Sequence, residues 1–321
     1  MTSGSHILIT GANGFLGRHL SRALLVTGAK VSHLVRSIVP SFHNEETQIA
    51  LDLSDSKKVK KIISTLQPRY VIHLAGTKER VNSGADFRNS YERNVSISLN
   101  VIDACLELSD FKRLVFLGSC DEYGQATSPF DEVQREMPAN AYGLAKLAVT
   151  KILSGLYQSC QFPSVVLRPT VIYGPNQGSE MFLSALIQSL VAKKDFAMTL
   201  GDQFRDFVYV DDVVDAIIRG IYAGNEVDGK LFNIGAGVSY QVKKIAYLVS
   251  NLIHPDAFSR LKFGAVQYRT HEVMDYAVNI MLAEQLLGWQ PNTQLEQGLQ
   301  KTINYFRDQI NTGMITVNDH A

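Results

Sequence analysis

The sequence predicts an α/β fold, a doubly wound parallel sheet with a smaller C-terminal α/β lobe. Three observations predict it. Short apolar runs of strand length alternate with helical periodicities through the first half. A glycine-rich turn follows the first of those runs. The second half is less regular, with helical stretches separated by short apolar runs. Strands that alternate with amphipathic helices pair in parallel and are covered on both faces, and ligands then sit beyond the carboxyl ends of the strands. A motif belonging to such a site must therefore fall just after a strand.

Taken in order, His6–Thr10 (HILIT) is an apolar strand. Over 15–30, Leu16, Leu20, Ala23 and Leu24 recur at helical spacing, and Gly28 supplies the stop. Residues 31–35 and 49–51 read as strands. Asp55 caps the next helix, whose inner face is Val59, Ile62, Ile63 and Leu66. The run 70–74 (YVIHL) is a buried strand, followed by a long helix over 91–108, the strand Arg113–Leu117 (RLVFL), a helix over 141–157 and a strand over 164–167. Helical patterns then fall near 181–191, 210–223, 242–252 and 295–306, with short strands near Phe207 and Leu231. No internal repeat or low-complexity linker interrupts the chain, and residues 311–321 read as a polar tail.

The composition narrows the function. Across 321 residues, 45% are apolar and 19% charged, which suits a globular protein with a sizeable core. Lys plus Arg and Asp plus Glu number 31 each, so the chain has no net field to draw it to nucleic acid or an anionic membrane. Cys105, Cys120 and Cys160 fit no zinc spacing, and no metal is expected; three thiols in a long chain are read as free, in a reducing compartment. The N-terminal residues show no signal peptide, and no apolar run has membrane-spanning length. A cytoplasmic protein is expected.

The first strand–turn–helix junction reads Gly11-Ala12-Asn13-Gly14-Phe15-Leu16-Gly17. Gly11 permits the tight turn, Gly14 lets backbone N–H groups approach a pyrophosphate, and Gly17 lets the helix pack close to the sheet. The helix N-terminus, with Asn13, Phe15 and Leu16 around it, then presents unpaired donors and partial positive charge to a phosphate. This is a Rossmann-like dinucleotide site. Its second strand ends in Val35-Arg36 rather than in a carboxylate, and a cation there suits the 2′-phosphate of NADP better than the free ribose of NAD, which remains possible. Asp52, with Leu53 beside it, can accept from the adenine amino group. Leu74-Ala75-Gly76 ends the fourth strand in small residues past which the dinucleotide can run, and Lys78 can reach its phosphates.

Tyr142 and Lys146 lie four apart at the start of a helix and share a face. A second pair at that spacing, Tyr240 and Lys244, is read as part of an ordinary helix in the other half. The first pair differs because Ser119 closes the preceding strand, which brings the three side chains together. Lys146 would lower the phenol pKa of Tyr142 and bind the nicotinamide ribose, Tyr142 would exchange a proton with the substrate oxygen, and Ser119 would hold that oxygen.

These residues resemble the extended short-chain dehydrogenases, the NAD(P)-dependent nucleotide-sugar epimerase/dehydratase family. The resemblance runs through GANGFLG, VIHLAG, Asn94 on the long helix, YGLAK, LRPTVIYGPNQ, GDQFRDFVYVDDV and LGWQP, in that order. It implies that Asn94, Pro169, Thr170 and Val171 face the cofactor. It implies that Ser119, Cys120, Asp121 and Asn176 face the substrate, and that Arg205 and Arg269 bind its pyrophosphate, for which Arg forks are suited. The chain departs from the family pattern at Thr270, where proline is common, and at Asn279, where an aspartate is usual. The family also implies a homodimer through the helices near 91–108 and 141–157. The expected division is a cofactor unit of 1–175 with about 205–235, a substrate lobe of 176–204 with 236–310, and the tail.

Three reactions suit the scaffold. A 4,6-dehydratase uses an acid and a base next to the serine. Asp121 and Glu122 stand there, but one residue closer to Tyr123-Gly124 than in dehydratases. A 4-epimerase retains NAD, which Arg36 disfavours. A 4-ketoreductase needs only Ser, Tyr, Lys and exchangeable NADPH, and the GS-x-D/E-E-YG form resembles reductases of nucleotide-linked 4-keto-6-deoxyhexoses. Reduction of such a sugar is the expected activity. A reductase of small apolar alcohols would not need the two arginines, and a non-catalytic NADP-binding protein would not need Ser119, Tyr142 and Lys146 together.

Overall fold

The computed structural model describes residues 5–39, 47–78, 83–269, 272–315 and 317. Thr270, residues 1–4, and 316 and 318–321 of the tail lie outside them. Seven parallel strands form the main sheet: β1 (His6–Thr10), β2 (Lys30–Val35), β3 (Thr47–Ala50), β4 (Tyr70–His73), β5 (Arg113–Leu117), β6 (Ser164–Pro169) and β10 (Lys230–Ile234), in the order β10-β6-β5-β4-β1-β2-β3. Chain order reverses between β1 and β4, which flank one another with Ile7 opposite both Val31 of β2 and Tyr70 of β4. That reversal opens a crevice at the carboxyl ends of the strands.

All five residues of β1 are buried, as an all-parallel central strand with both faces covered requires. Its side chains alternate between two cores. Ile7 and Ile9 join the apolar mass that includes α1 (Phe15–Leu25), α6 (Phe182–Val191) and α7 (Val210–Tyr222). Leu8 joins the other, made with α2 (Ser56–Leu66), α4 (Ile97–Leu106) and α5 (Ala141–Cys160). Asp55 caps α2, its carboxylate accepting from the Lys58 N–H at 3.1 Å. Asn140 caps α5 on the Gly143 N–H at 2.8 Å, and Gln161, at φ 56°, ends it in the left-handed region.

The long helix starts earlier than its periodicity predicts. It opens with α3 (Gly84–Ser90), set by a reciprocal cap between Ser83 and Asp86, widens into a π-turn over Tyr91–Ser96, and continues as α4. In the second half, strands too short to predict add a three-stranded sheet. In it, β9 (Phe204–Tyr209) lies between β7 (Val171–Tyr173), parallel to it, and β11 (Ser239–Gln241), antiparallel. A two-stranded piece pairs β8 (Phe196–Met198) with β12 (Leu261–Phe263). Tyr240 lies in β11 and Lys244 in α8 (Val242–Ile253), so the second Tyr/Lys pair spans a strand–helix junction rather than one helix face.

Short α9 (Met281–Leu287) and long α10 (Leu295–Asn311) close the chain. Between them Trp289 is fully buried, and its indole N–H donates to the Asp212 carbonyl on α7 at 2.9 Å. The Asp212 carboxylate accepts the N–H groups of Asn292 and Thr293, each at 3.1 Å, which pins the C-terminal segment to α7.

Candidate active site

The glycine turn is dictated by close packing. Gly11 adopts φ +74°, and a Cβ there would lie 2.8 Å from the Ala75 nitrogen. A Cβ on Gly17 would lie 2.5 Å from the Gly11 oxygen, so the helix and the turn approach as only glycine allows. Gly14 is the N-cap of α1 and has no side chain to satisfy the first N–H groups of the helix. The result is a cradle of backbone donors at the positive end of an eleven-residue helix, which fits a dinucleotide pyrophosphate. The Asn13 amide ties this turn to the next strand end by donating to the Ser37 carbonyl at 2.8 Å. Arg36 and Asp52 are exposed there. The Asp52 carboxyl is held below its usual range by bonds from Ser54 and, more weakly, by the charge of Arg36.

At the end of β4, a buried chain of hydrogen bonds supports the crevice. The Ala75 N–H meets the Thr10 hydroxyl at 3.3 Å, and Thr10 meets His73 Nδ1 at 2.7 Å. His73 Nε2 meets the Ser98 hydroxyl at 2.9 Å, and Ser98 donates to the Asn94 carbonyl. Burial, then the nearby Lys146 charge, holds the His73 pKa down to about 3, so the ring is neutral. The Asn94 side-chain oxygen accepts the Thr77 N–H at 3.0 Å, and its amide donates to Ser90. Ser90 in turn donates to the Ala141 carbonyl at 3.1 Å, which fastens the helix before the π-turn to the first turn of α5.

Tyr142 and Lys146, in the first turns of α5, stand beside the end of β5, and Ser119 begins the turn that follows it. The Lys146 ammonium donates to the Leu117 carbonyl at 2.7 Å, 4.7 Å from the centre of the Phe116 ring and 5.8 Å from that of Tyr142. Gly143 packs on the serine turn so closely that a Cβ would lie 2.4 Å from the Asp121 oxygen. Burial holds the Lys146 pKa down to about 8, with Glu122 pulling it up and Lys78 pushing it down. Ser119 caps a single turn, Cys120–Glu122, and its hydroxyl oxygen accepts the Asp121 N–H at 3.1 Å. With that lone pair engaged, the hydroxyl proton is available to an oxygen in the crevice.

The facing rim comes from β9 and the loop after β12. Arg205 pairs with Glu272, donates to its neighbour's carbonyl at Phe204, and lies 5.7 Å from the centre of the Tyr276 ring. Burial pulls the Arg205 pKa down and Glu272 opposes it. The Tyr276 hydroxyl donates to Asp121 at 3.2 Å, which links this rim to the serine turn.

Residues 7–235 match the NAD dependent epimerase/dehydratase family. The chain belongs to that family. It is 24% identical over 302 residues to a CDP-abequose synthase of Salmonella typhimurium, covering 93% of this chain and 97% of the relative. It is 26% identical over 326 residues to a probable GDP-L-fucose synthase 1 of Oryza sativa subsp. japonica, with 96% and 93% covered. Its fold is similar to that of a UDP-glucose 4-epimerase of Thermotoga maritima solved with UDP-glucose, with TM-score 0.87, 25% identity, and 95% of this chain and 99% of that one covered.

In this epimerase/dehydratase scaffold the expected site residues lie on several segments. Gly11, Asn13, Gly14, Phe15, Leu16 and Gly17 form the cradle, and Leu74, Ala75, Gly76 and Asn94 line its neighbouring strand end. Leu53 is buried, while Lys78 is exposed. Pro169, Thr170 and Val171 lie where β6 passes into β7, and Thr170 donates to the buried Asp206 at 3.2 Å. Among residues expected on the substrate side, Asp121 meets Tyr276, whereas Cys120 lies wholly in the core with its thiol on the Arg168 carbonyl. Asn176 is exposed, at φ 67°, and accepts from Tyr305 at 3.2 Å; Arg269 is exposed on the loop after β12. Sequence reasoning missed Thr10, Ser98, Glu272 and Tyr276. Ser98, one helical turn after Asn94, was the one with a readable spacing.

Proposed function

We propose that this family member is an NADPH-dependent reductase of the 4-keto group of a nucleotide-diphosphate 4-keto-6-deoxyhexose. The observation that carries the choice is the placement of Glu122. Its side chain is fully buried and paired with Arg168, so it offers no second acid–base group beside Asp121, and dehydration across two sugar carbons needs both. Reduction needs only the Ser119, Tyr142 and Lys146 set. Relatives named as CDP-abequose and GDP-L-fucose synthases support a nucleotide-linked sugar.

In this reading the cofactor lies in the cradle of Gly11, Asn13, Gly14, Phe15, Leu16 and Gly17. It runs past Asp52, Leu53, Leu74, Ala75, Gly76, Lys78 and Asn94, and ends against Pro169, Thr170 and Val171. When bound it supplies the hydride. Arg36 selects the 2′-phosphate of NADP. Ser119 donates to the keto oxygen, Tyr142 delivers its proton to that oxygen, and Lys146 holds the ribose and favours the ionised phenol afterwards. Arg205, released from Glu272, takes the substrate diphosphate with Arg269 and Asn176, and Asp121 holds a sugar hydroxyl. The cofactor unit of 1–175 with 205–235 and the lobe of 176–204 with 236–310 then close on one cleft.

We further propose a cytoplasmic homodimer that buries Phe87, Tyr91, Leu106 and Leu144, which stand exposed on α3, the π-turn, α4 and α5. Among the described residues no helix is long and apolar enough to cross a membrane. The deciding experiment mixes purified protein and NADPH with a panel of nucleotide-linked 4-keto-6-deoxyhexoses. Oxidation of NADPH with at least one of them is expected, and silence across the panel refutes the reading. A 4-epimerase, the reading favoured by the likeness to the Thermotoga maritima fold, would instead interconvert UDP-hexoses with no added cofactor.

A further inference from the structure

Leu117, which ends β5, and the next two residues, Gly118 and Ser119, are each held through the backbone. The Leu117 carbonyl accepts from Lys146 at 2.7 Å, the Gly118 N–H donates to the Leu167 carbonyl at 2.8 Å, and the Ser119 N–H donates to Glu122 Oε1 at 2.9 Å. A Cβ on residue 118 would lie 2.5 Å from that same carboxylate oxygen, so Gly118 is what allows Glu122 to reach under the turn. Glu122 does not stand alone. Its Oε2 accepts from Arg168 Nε at 2.8 Å, Arg168 Nη2 donates to Glu136 at 2.9 Å, and Glu136 accepts from Lys151 at 2.8 Å on the surface. Arg168 is fully buried and lies 4.5 Å from the centre of the Tyr123 ring. A buried pair of this kind adds little to stability relative to apolar side chains of the same size, because both ions lose their water. Its geometry is aimed instead at the serine.

We propose that Glu122, anchored by Arg168, is a positioning residue: it fixes the Ser119 backbone so that the hydroxyl presents its proton to the substrate oxygen, and its charge offsets the buried Lys146 ammonium. Among the described residues, four titratable groups face that ammonium: Glu122 from the serine turn, Lys78 from the loop after β4, Tyr142 from α5, and His73 from β4, which is neutral. Glu122 is the carboxylate of this set. The inference rests on the reductase reading and deepens it.

Two substitutions separate the two effects. Glu122→Gln keeps an acceptor of the same reach and removes the charge. Glu122→Asp keeps the charge and withdraws it by one methylene. Each is assayed as the full chain beside wild type and Tyr142→Phe, with cofactor Kd and melting temperature measured alongside. For Glu122→Asp we expect kcat to fall about ten- to hundredfold at unchanged KM and cofactor Kd, with the pH profile in place. For Glu122→Gln we expect the upper pH limb to move about one unit lower, with a smaller loss of kcat. Wild-type kcat and an unmoved limb in both overturn the proposal. If neither folds, Glu136→Gln at the outer end of the chain carries the test: a several-fold lower kcat at unchanged cofactor Kd supports the proposal, and wild-type kcat overturns it. An active wild type with an inactive Tyr142→Phe keeps the reductase reading whatever Glu122 does. An inactive wild type brings both down together.

Discussion

On the cofactor rim of the cleft the groups that face a ligand are backbone N–H donors at the start of α1, and glycines at 11 and 17 hold them where no side chain fits. On the opposite rim the groups are side chains, Arg205, Glu272 and Tyr276, which hold one another. The first rim is set before any ligand arrives. The second carries a charge already paired with Glu272, and on the proposed reading substrate competes with Glu272 for Arg205. On the proposed reading, preorganised backbone meets the part common to all dinucleotides, while exchangeable side-chain pairs meet the part that varies.

The sharpest test lies between the rims. If Tyr142 carries the proton as proposed, turnover in Tyr142→Phe should fall about 10²- to 10⁴-fold with cofactor Kd unchanged, measured by NADPH oxidation and titration. Next comes the backbone rim. Gly11→Ala places a Cβ against Ala75 in a conformation unfavourable to alanine, and about 3 kcal/mol of strain and crowding should appear as a lower melting temperature and a cofactor Kd raised roughly a hundredfold. An unchanged Kd there would dissolve the contrast between the rims.

On the other rim, Arg205→Met should raise the substrate KM about tenfold or more, the effect of losing one charge-assisted bond, and leave cofactor Kd alone. Glu272→Gln should lower that KM, because the guanidinium is then released to the diphosphate. A raised KM in Glu272→Gln would mean that the pair positions Arg205 rather than withholding it. The pH profile follows from Lys146. The ammonium is charged below its pKa of about 8 and neutral above it, so kcat/KM should fall as pH rises through that value, traced with substrate well below KM. Smallest is Arg36→Ala at an exposed position, where NADPH affinity should drop about fivefold and NADH affinity should hold. Equal loss of both would remove Arg36 as the selector.

The same contrast governs what could be read from the sequence. The first half was legible because strands such as β1 and β5 are buried apolar runs and its helices show a period, a cap or a stop, as Asp55 and Gly28 show. The long helix was placed late because its start depends on the Ser83–Asp86 cap rather than on apolar spacing. The strands β7, β8, β11 and β12 have three residues each, too few to show an alternation, and their partners are distant in sequence. In the site, spacing along one helix or one turn brought Tyr142, Lys146 and the glycines to view. Nothing local pairs Arg205 with Glu272 or Glu122 with Arg168, 67 and 46 residues apart. That pairing also explains why adjacent Asp121 and Glu122 face opposite ways, one toward Tyr276 and one into the core.

Trp289 gives the molecule a built-in optical gauge. It is the sole tryptophan of the chain, sealed from water where the C-terminal segment meets α7. Its emission therefore reports on the seating of that segment alone. A red shift during heating or denaturant titration dates the loosening of the C-terminal half, whereas far-ultraviolet ellipticity follows the helices at large. If the indole signal moves first, the C-terminal segment melts as its own cooperative step; if the two curves superimpose, the chain unfolds as one body.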